Sequence, residues 1–143
     1  MPLSSSQSTA AAGTPVTVPI EVQRVHRSRR SSLDLSSVPF SSVMSDHMLV
    51  ATFENQEWRE ARVQPYRPLE LLPGISAIQY GVSVFEGLKA RRADTGEVLL
   101  FRVEENAKRM ARSAERLAMP PVPDGLFLDG ITALLQADEN WVP

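Results

Sequence analysis

The sequence contains no cysteine, which excludes disulfides, thiolate metal ligands and a cysteine nucleophile. No apolar run approaches the roughly 20 residues that a membrane-spanning helix needs. The formal net charge is -2, whereas nucleic-acid-binding domains carry a clustered excess of Lys and Arg. The glycine-rich phosphate loops of dinucleotide-binding and P-loop proteins are also missing. With 43% hydrophobic and 22% charged residues, the composition is that of an ordinary soluble protein.

Histidine is scarce, and the two that occur, His26 and His47, lie far apart in the sequence. No residues near either of them complete the spacing of a metal site, so no metal is expected. Serine is abundant, but there is no G-x-S-x-G motif to indicate a serine nucleophile.

The N-terminal region differs in composition from the rest of the chain. Residues 1–17 are mostly Ser, Thr, Ala, Gly and Pro, which bury too little apolar surface to offset chain entropy, so a disordered tail is predicted. Residues 18–40 form a predicted N-terminal arm, with arginines concentrated between Arg24 and Arg30. This pattern is typical of organelle transit peptides, although we favour a solvated basic stretch. A cytoplasmic location is expected, with an organelle as the alternative.

Residues 41–143 fit one small domain. Two pairs of strand-like segments flank turn residues: 48–53 with 57–63 around Asn55-Gln56, and 88–92 with 98–102 around Asp94-Thr95-Gly96. Two β-hairpins are therefore predicted.

Three segments have helical spacing of apolar residues. They are 78–86, with a stripe of Ile78, Val82 and Phe85 that Gly87 could end; 104–118, with Ala107, Met110, Ala111, Ala114 and Leu117; and a segment from Pro123-Asp124, with Phe127, Ile131, Leu134 and Leu135 inward. Hairpins followed by helices predict an α+β fold.

Two groups of residues are candidates for a binding site. Tyr80-Gly81 precedes Phe85-Glu86-Gly87, and such glycines let a backbone approach a ligand beside a hydroxyl donor and an apolar wall. On spacing alone, core aromatics beside turn glycines are the better explanation.

The second group is the basic face of the 104–118 helix, which carries Lys108, Arg109, Arg112 and Arg116. A guanidinium can bind phosphate through two parallel hydrogen bonds. On spacing alone, a solvated face with an i,i+4 pair between Glu105 and Arg109 is favoured.

Several segments together resemble branched-chain amino acid aminotransferases, which are class IV pyridoxal-phosphate (PLP) enzymes. The matching segments are 45–51 (SDHMLVA), 78–90 (IQYGVSVFEGLKA), 100–102 (LFR), 106–110 (NAKRM), 112–114 (RSA), 117–120 (LAMP) and 141–143 (WVP). Their order and spacing are those of the N-terminal portion of the family, and the similarity reaches back to about residue 20.

The resemblance implies the small N-terminal α/β domain of the fold-type IV PLP-dependent architecture, with residues 41–143 ending before the large C-terminal domain. It also implies a homodimer and the transfer of an amino group from leucine, isoleucine or valine to 2-oxoglutarate. PLP would act as the electron sink, while the protein positions and protonates the reacting groups.

Four residues match functional positions of the family. Arg109 corresponds to the arginine that binds the PLP phosphate, which reverses the interpretation from spacing. Tyr80 corresponds to a tyrosine on the substrate side, while Phe85 and Phe40 correspond to aromatics of the side-chain pocket. Two positions depart from the family pattern: Ser41 stands where many members have glycine, and Gln79 where histidine is often found.

The lysine that would hold the cofactor is missing from this chain. Lys89 and Lys108 are its two lysines, and neither matches the family's Schiff-base lysine, which belongs to the large domain. The chain alone is therefore expected to be inactive. The alternatives are another class IV PLP enzyme, such as a D-amino acid aminotransferase or an aminodeoxychorismate lyase, or a non-catalytic small-domain interaction protein.

Overall fold

The computed structural model describes residues 18–34, 37–39 and 41–143, so the predicted disordered tail lies outside the described residues. The elements in chain order are β1 (Glu21–Val22), β2 (His47–Glu54), β3 (Glu57–Pro65), α1 (Ser76–Tyr80), β4 (Ala90–Arg92), β5 (Val98–Leu100), α2 (Val103–Arg116) and α3 (Asp124–Ala137), with 3-10 turns at Arg30–Ser32 and Glu139–Trp141. This arrangement confirms the α+β prediction.

The first predicted hairpin is confirmed. β2 and β3 are antiparallel, and the residues between them, Asn55 and Gln56, both have positive φ, at 51° and 66°. Two positive φ angles in a two-residue loop match the right-handed twist of the flanking strands. β1 adds a short parallel strand to the other edge of β3, with Glu21 opposite Arg62.

The second predicted hairpin is also confirmed, although its strands are shorter than expected. β4 and β5 pair in antiparallel register, and Gly96 in the loop has a φ of 90°. Arg92 of β4 extends this hairpin to the end of the chain, because its backbone N–H donates to the carbonyl of Pro143 at 2.7 Å.

The core lies where α2 and α3 pack on each other and α3 packs on β2 and β3. Its buried apolar residues are Ala61, Val63, Ala107, Ala114 and Leu126. Ala107 and Ala114 confirm the centre of the predicted apolar stripe of α2, and their small side chains allow close packing of the helices. The end of the prediction is wrong, because α2 ends at Arg116 and Leu117 beyond it is exposed.

The inner face of α3 differs from the prediction. Leu126 and Gly130 are its buried residues, whereas the four apolar residues expected to point inward are half-buried. Gly130 lies so close to β2 that a Cβ there would be 2.5 Å from Cδ2 of Leu49. The missing side chain therefore sets which face of the helix rests on the sheet.

The predicted helical stripe across residues 78–86 is wrong. Helix α1 ends at Tyr80, and the next residue, Gly81, adopts the left-handed conformation with a φ of 65°. The following residues 82–89 belong to no helix or strand, and half-buried and exposed side chains alternate along this segment. Val82, Val84, Glu86 and Leu88 lie on the half-buried side, which is the period of two expected of extended backbone.

Asp46 is the centre of a buried polar cluster that binds the arm to the rest of the fold. Its carboxylate accepts hydrogen bonds from Ser28 Oγ at 2.5 Å, Trp141 Nε1 at 2.9 Å and the backbone N–H of Arg29 at 3.1 Å. Burial opposes the ionised form, but the bonds from Ser28, Trp141 and Arg29 outweigh it and lower the pKa of Asp46 to about 2.

The neighbouring residue, His47, is equally buried and joins the same two parts of the chain. Its Nδ1 lies 2.6 Å from Oδ1 of Asp138, and its Nε2 accepts a hydrogen bond from the backbone N–H of Val25 at 2.9 Å. Because Nε2 is an acceptor, the ring proton is on Nδ1 and is donated to Asp138. The division between an arm at 18–40 and a domain at 41–143 stays a prediction.

We expect Asp46→Asn to lower the free energy of unfolding by about 2 kcal/mol at neutral pH. The folded-state pKa of about 2 lies below the ordinary 3.8, so this stabilisation is present above 3.8 and is lost as pH falls toward 2. Urea unfolding between pH 5 and about pH 2 measures it. Asp129→Asn, an exposed aspartate of α3, is the matched control, and equal acid sensitivity of the Asp46 variant and the original protein would contradict the assignment.

Candidate functional site

The candidate site lies where the extended segment 82–89 crosses helix α2. Glu86 and Arg109 meet there in a bidentate ion pair, with Arg109 Nε 3.1 Å from Oε2 and Arg109 Nη2 2.7 Å from Oε1. The side chain of Glu86 is 12% exposed and that of Arg109 is 49% exposed. The carboxylate is therefore the fixed partner, and the guanidinium reaches from it toward solvent.

The pair affects the protonation of both groups. The hydrogen bond from Arg109 lowers the pKa of Glu86, against a smaller opposing effect of burial, and the bond from Asn106 lowers it further. The same bond to Glu86 raises the pKa of Arg109. Both groups are consequently charged at neutral pH.

Asn106, one turn before Arg109 on α2, holds Glu86 in place. Its Nδ2 donates to Oε1 of Glu86 at 2.9 Å and to the carbonyl of Gly87 at 3.0 Å. Asn106 is only 6% exposed, so its amide is shielded from competing water. The buried amide thus fastens the extended segment to α2 and fixes the carboxylate that binds Arg109.

Two cavities open on either side of Arg109. One, of about 610 Å³, is lined by Phe85, Glu86 and Arg109 together with Arg112, Ser113 and Arg116. The other, of about 790 Å³, has an apolar part formed by Leu88, Leu99 and Phe101 and is also lined by Lys89. Arg109 belongs to the walls of both, so its guanidinium is accessible to a ligand in either cavity.

The structure brings Phe85 and Arg109 to one cavity but leaves Tyr80 apart. Phe85 is 92% exposed and Tyr80 is 82% exposed, so neither is a core aromatic, which was the interpretation favoured by spacing. Tyr80 lines neither of the two cavities beside Arg109. Phe40 lies outside the described residues.

The sequence patterns did not identify the partners of Arg109. The expected i,i+4 pair with Glu105 is wrong, because Glu105 binds Lys108 at 2.9 Å and Arg109 turns to Glu86 instead. The sequence did contain one signal that Asn106 is buried. It is a polar residue beside Ala107, on the inner face of a helix whose other inner residues are apolar. Glu86 could have been found from the alternation of residues 82–88, which places it on the same side as Val84.

Lys108 does not have the environment of a nucleophile. The pKa of Lys108 is raised by its hydrogen bond to Glu105, whereas a lysine activated for attack needs a lowered pKa. Lys89 is exposed at the wall of the larger cavity.

Two kinds of feature are missing from the described residues. No cluster of three or more His, Cys, Asp or Glu side chains arranged to hold a metal ion occurs among them. Within the same residues, no helix is both long enough and apolar enough to cross a membrane.

Comparison with curated proteins gives a consistent set of relatives. Branched-chain-amino-acid transaminase 1 of Bacillus subtilis (strain 168) is 46% identical over 111 residues, which are 77% of this chain and 31% of that protein. The branched-chain-amino-acid aminotransferase of Mycobacterium tuberculosis (strain ATCC 25618 / H37Rv) is 42% identical over 105 residues, 73% of this chain and 28% of that protein.

A third relative has longer coverage. The probable branched-chain-amino-acid aminotransferase of Staphylococcus aureus (strain N315) is 39% identical over 126 residues, 85% of this chain and 35% of that protein. The chain thus spans about a third of the length of the curated relatives it matches. No family model matches the chain.

We expect Asn106→Leu to lower the free energy of unfolding by about 1–3 kcal/mol, because it removes two hydrogen bonds and leaves the Gly87 carbonyl without its partner. Denaturant unfolding measures the change. Asn140→Leu is the control, since its amide donates a single 3.2 Å bond at the surface, to Ser28 Oγ. Equal losses for the two variants would show that the buried amide does not fasten the segment to α2.

Proposed function

This chain belongs to the branched-chain amino acid aminotransferase family, and on that premise we propose that the whole protein transfers the amino group of leucine, isoleucine or valine to 2-oxoglutarate with PLP. The observation that carries the proposal is the accessible, bidentately held guanidinium of Arg109. Bound PLP would supply the electron sink, and the residues of this chain would bind and orient it.

The donor set at Arg109 suits a phosphate group. Glu86 occupies the Nε–Nη2 edge of the guanidinium, so the Nη1–Nη2 edge keeps N–H donors for a second anion. Planar guanidinium groups bind phosphate through such paired N–H donors. Arg112 and Arg116 line the same cavity and add positive charge. These features support Arg109 as the residue that binds the PLP phosphate.

The substrate side of the site is proposed to be apolar. Phe85 faces the cavity that contains Arg109, and burying a branched aliphatic side chain against such a wall contributes about 1.5–3 kcal/mol. Tyr80 and Phe40 are proposed to complete the substrate pocket, with the Tyr80 hydroxyl as a hydrogen-bond donor. The high exposure of Tyr80 and Phe85 is compatible with a pocket whose other walls come from elsewhere in the protein.

The architecture of the whole protein is part of the same proposal. The α+β unit is proposed to be the small N-terminal domain of the fold-type IV architecture, with a large domain that contributes the Schiff-base lysine and with a homodimer as the active assembly. Several other large apolar side chains are exposed, including Leu72 and Phe101, and such groups often mark interaction surfaces. A cytoplasmic location is proposed for the protein.

We expect Arg109→Gln, in protein expressed from its complete reading frame, to weaken PLP binding by about ten- to a hundredfold, the loss typical of a hydrogen-bonded charged partner. Titrating the apoprotein with PLP and following cofactor absorbance measures it. Arg59→Gln is the control, because that arginine pairs with Glu57 on the β2–β3 hairpin. Unchanged PLP affinity in the Arg109 variant would refute the proposed role.

We expect Phe85→Ala to reduce the preference for leucine over alanine by about tenfold, because the larger side chain loses its apolar contact and the smaller one does not reach it. The ratio of kcat/KM values for the two amino acids measures this preference and cancels any general loss of active protein. An unchanged ratio would place the side-chain pocket elsewhere.

A further inference from the structure

We propose that Glu86 is a positioning residue that aims the free edge of the Arg109 guanidinium at the cofactor phosphate; the inference rests on the proposed function. Glu86 does not touch the phosphate in this proposal. It acts through Arg109, and Asn106 acts through Glu86.

The atoms bonded in the pair determine which edge of the guanidinium is open. Glu86 accepts from Nε at 3.1 Å and from Nη2 at 2.7 Å, which uses the side-on edge of Arg109. The end-on edge, made by Nη1 and the second Nη2 hydrogen, has no protein partner among the described residues. A planar group held along one edge has a defined orientation at the other, so a phosphate would meet two parallel N–H donors already in place.

The carboxylate can orient Arg109 because it is itself fixed. Asn106 donates to Oε1 of Glu86 at 2.9 Å and is anchored by its second bond to the Gly87 carbonyl. Arg109 is half-exposed, and a long side chain at such a position otherwise samples many rotamers. Restricting those rotamers before the ligand arrives reduces the entropy lost on binding.

A carboxylate beside an anion site has an opposing effect, because it repels the phosphate. The charge of the cavity offsets this repulsion, since Arg112 and Arg116 line the same cavity as Arg109 and neither forms an ion pair in the described part of the chain. Three guanidinium groups therefore accompany one carboxylate. The bond from Arg109 lowers the pKa of Glu86, so the carboxylate that orients Arg109 stays ionised at neutral pH.

The two effects of Glu86 predict opposite results for Glu86→Gln. If positioning dominates, the variant binds PLP more weakly; if repulsion dominates, it binds PLP more tightly. Pyridoxal, which lacks the phosphate, reports any general damage to the site. We expect Glu86→Gln to raise the dissociation constant of PLP by about tenfold while that of pyridoxal stays within about twofold.

The experiment titrates apoprotein expressed from its complete reading frame with PLP and, separately, with pyridoxal. Glu86→Asp keeps the charge but shortens the side chain, so an intermediate loss of PLP affinity is expected. Glu115→Gln is the charge-matched control, since Glu115 is exposed on the same helix and has no ion pair among the described residues. Thermal unfolding verifies that each variant is folded.

Three outcomes overturn the inference: unchanged PLP affinity, tighter PLP binding, or an equal loss for PLP and pyridoxal. The Arg109→Gln variant, measured alongside, distinguishes failure of the positioning role of Glu86 from failure of the proposed function. Loss of PLP affinity in Arg109→Gln but not in Glu86→Gln refutes the positioning role alone. Unchanged affinity in Arg109→Gln refutes the phosphate anchor and the positioning role together.

The orientation of Arg109 is also measurable without any ligand. In the folded protein, the Nε–H of Arg109 donates to Oε2 of Glu86. We expect its hydrogen-exchange rate with water to be about tenfold lower than that of the same group in Glu86→Gln. Nuclear magnetic resonance of the arginine Nε–H signal reports this exchange. Equally fast exchange in both proteins would show that the carboxylate does not hold the guanidinium.

Discussion

A bidentate ion pair between Glu86 and Arg109 joins two stretches of chain that are separate in the sequence. One stretch is the extended segment 82–89, which belongs to no helix or strand, and the other is helix α2. Asn106 strengthens the junction because it bonds to both the carboxylate and the Gly87 carbonyl. Helix α2, which carries Arg109 and Asn106, is itself held by packing on α3, and α3 packs on the sheet of β2 and β3.

Local sequence signals predicted the regular elements well. Asn55-Gln56 and Asp94-Thr95-Gly96 are turn residues whose chemistry acts over a few positions, so the two hairpins follow from neighbours in sequence. The α2 helix follows similarly, from small apolar residues at helical spacing with Glu104 and Glu105 in its first turn. In these segments local preference and tertiary packing agree.

The candidate site was harder to predict because its contacts are not local. Ile78, Val82 and Phe85 have helical spacing, yet Gly81 ends α1 and the chain continues as extended backbone that places Phe85 and Glu86 on opposite sides. The choice of Glu86 over Glu105 as the partner of Arg109 depends on where that segment crosses α2. The Asp46 cluster was equally hard to predict, because Ser28 and Trp141 are distant from Asp46 in the sequence and no spacing rule identifies them as its partners. The proposed role of Arg109 came from resemblance to a family, because its spacing alone favoured a solvated face.

We propose that one guanidinium, that of Arg109, binds a protein carboxylate along one edge and the cofactor phosphate along the other. A crystal structure of the protein expressed from its complete reading frame, with PLP bound, tests it most directly. We expect the phosphate to lie within hydrogen-bonding distance of the Nη1–Nη2 edge of Arg109, with the Glu86 carboxylate still bonded to Nε. A phosphate bound by other residues, with Arg109 directed into bulk solvent, would contradict it.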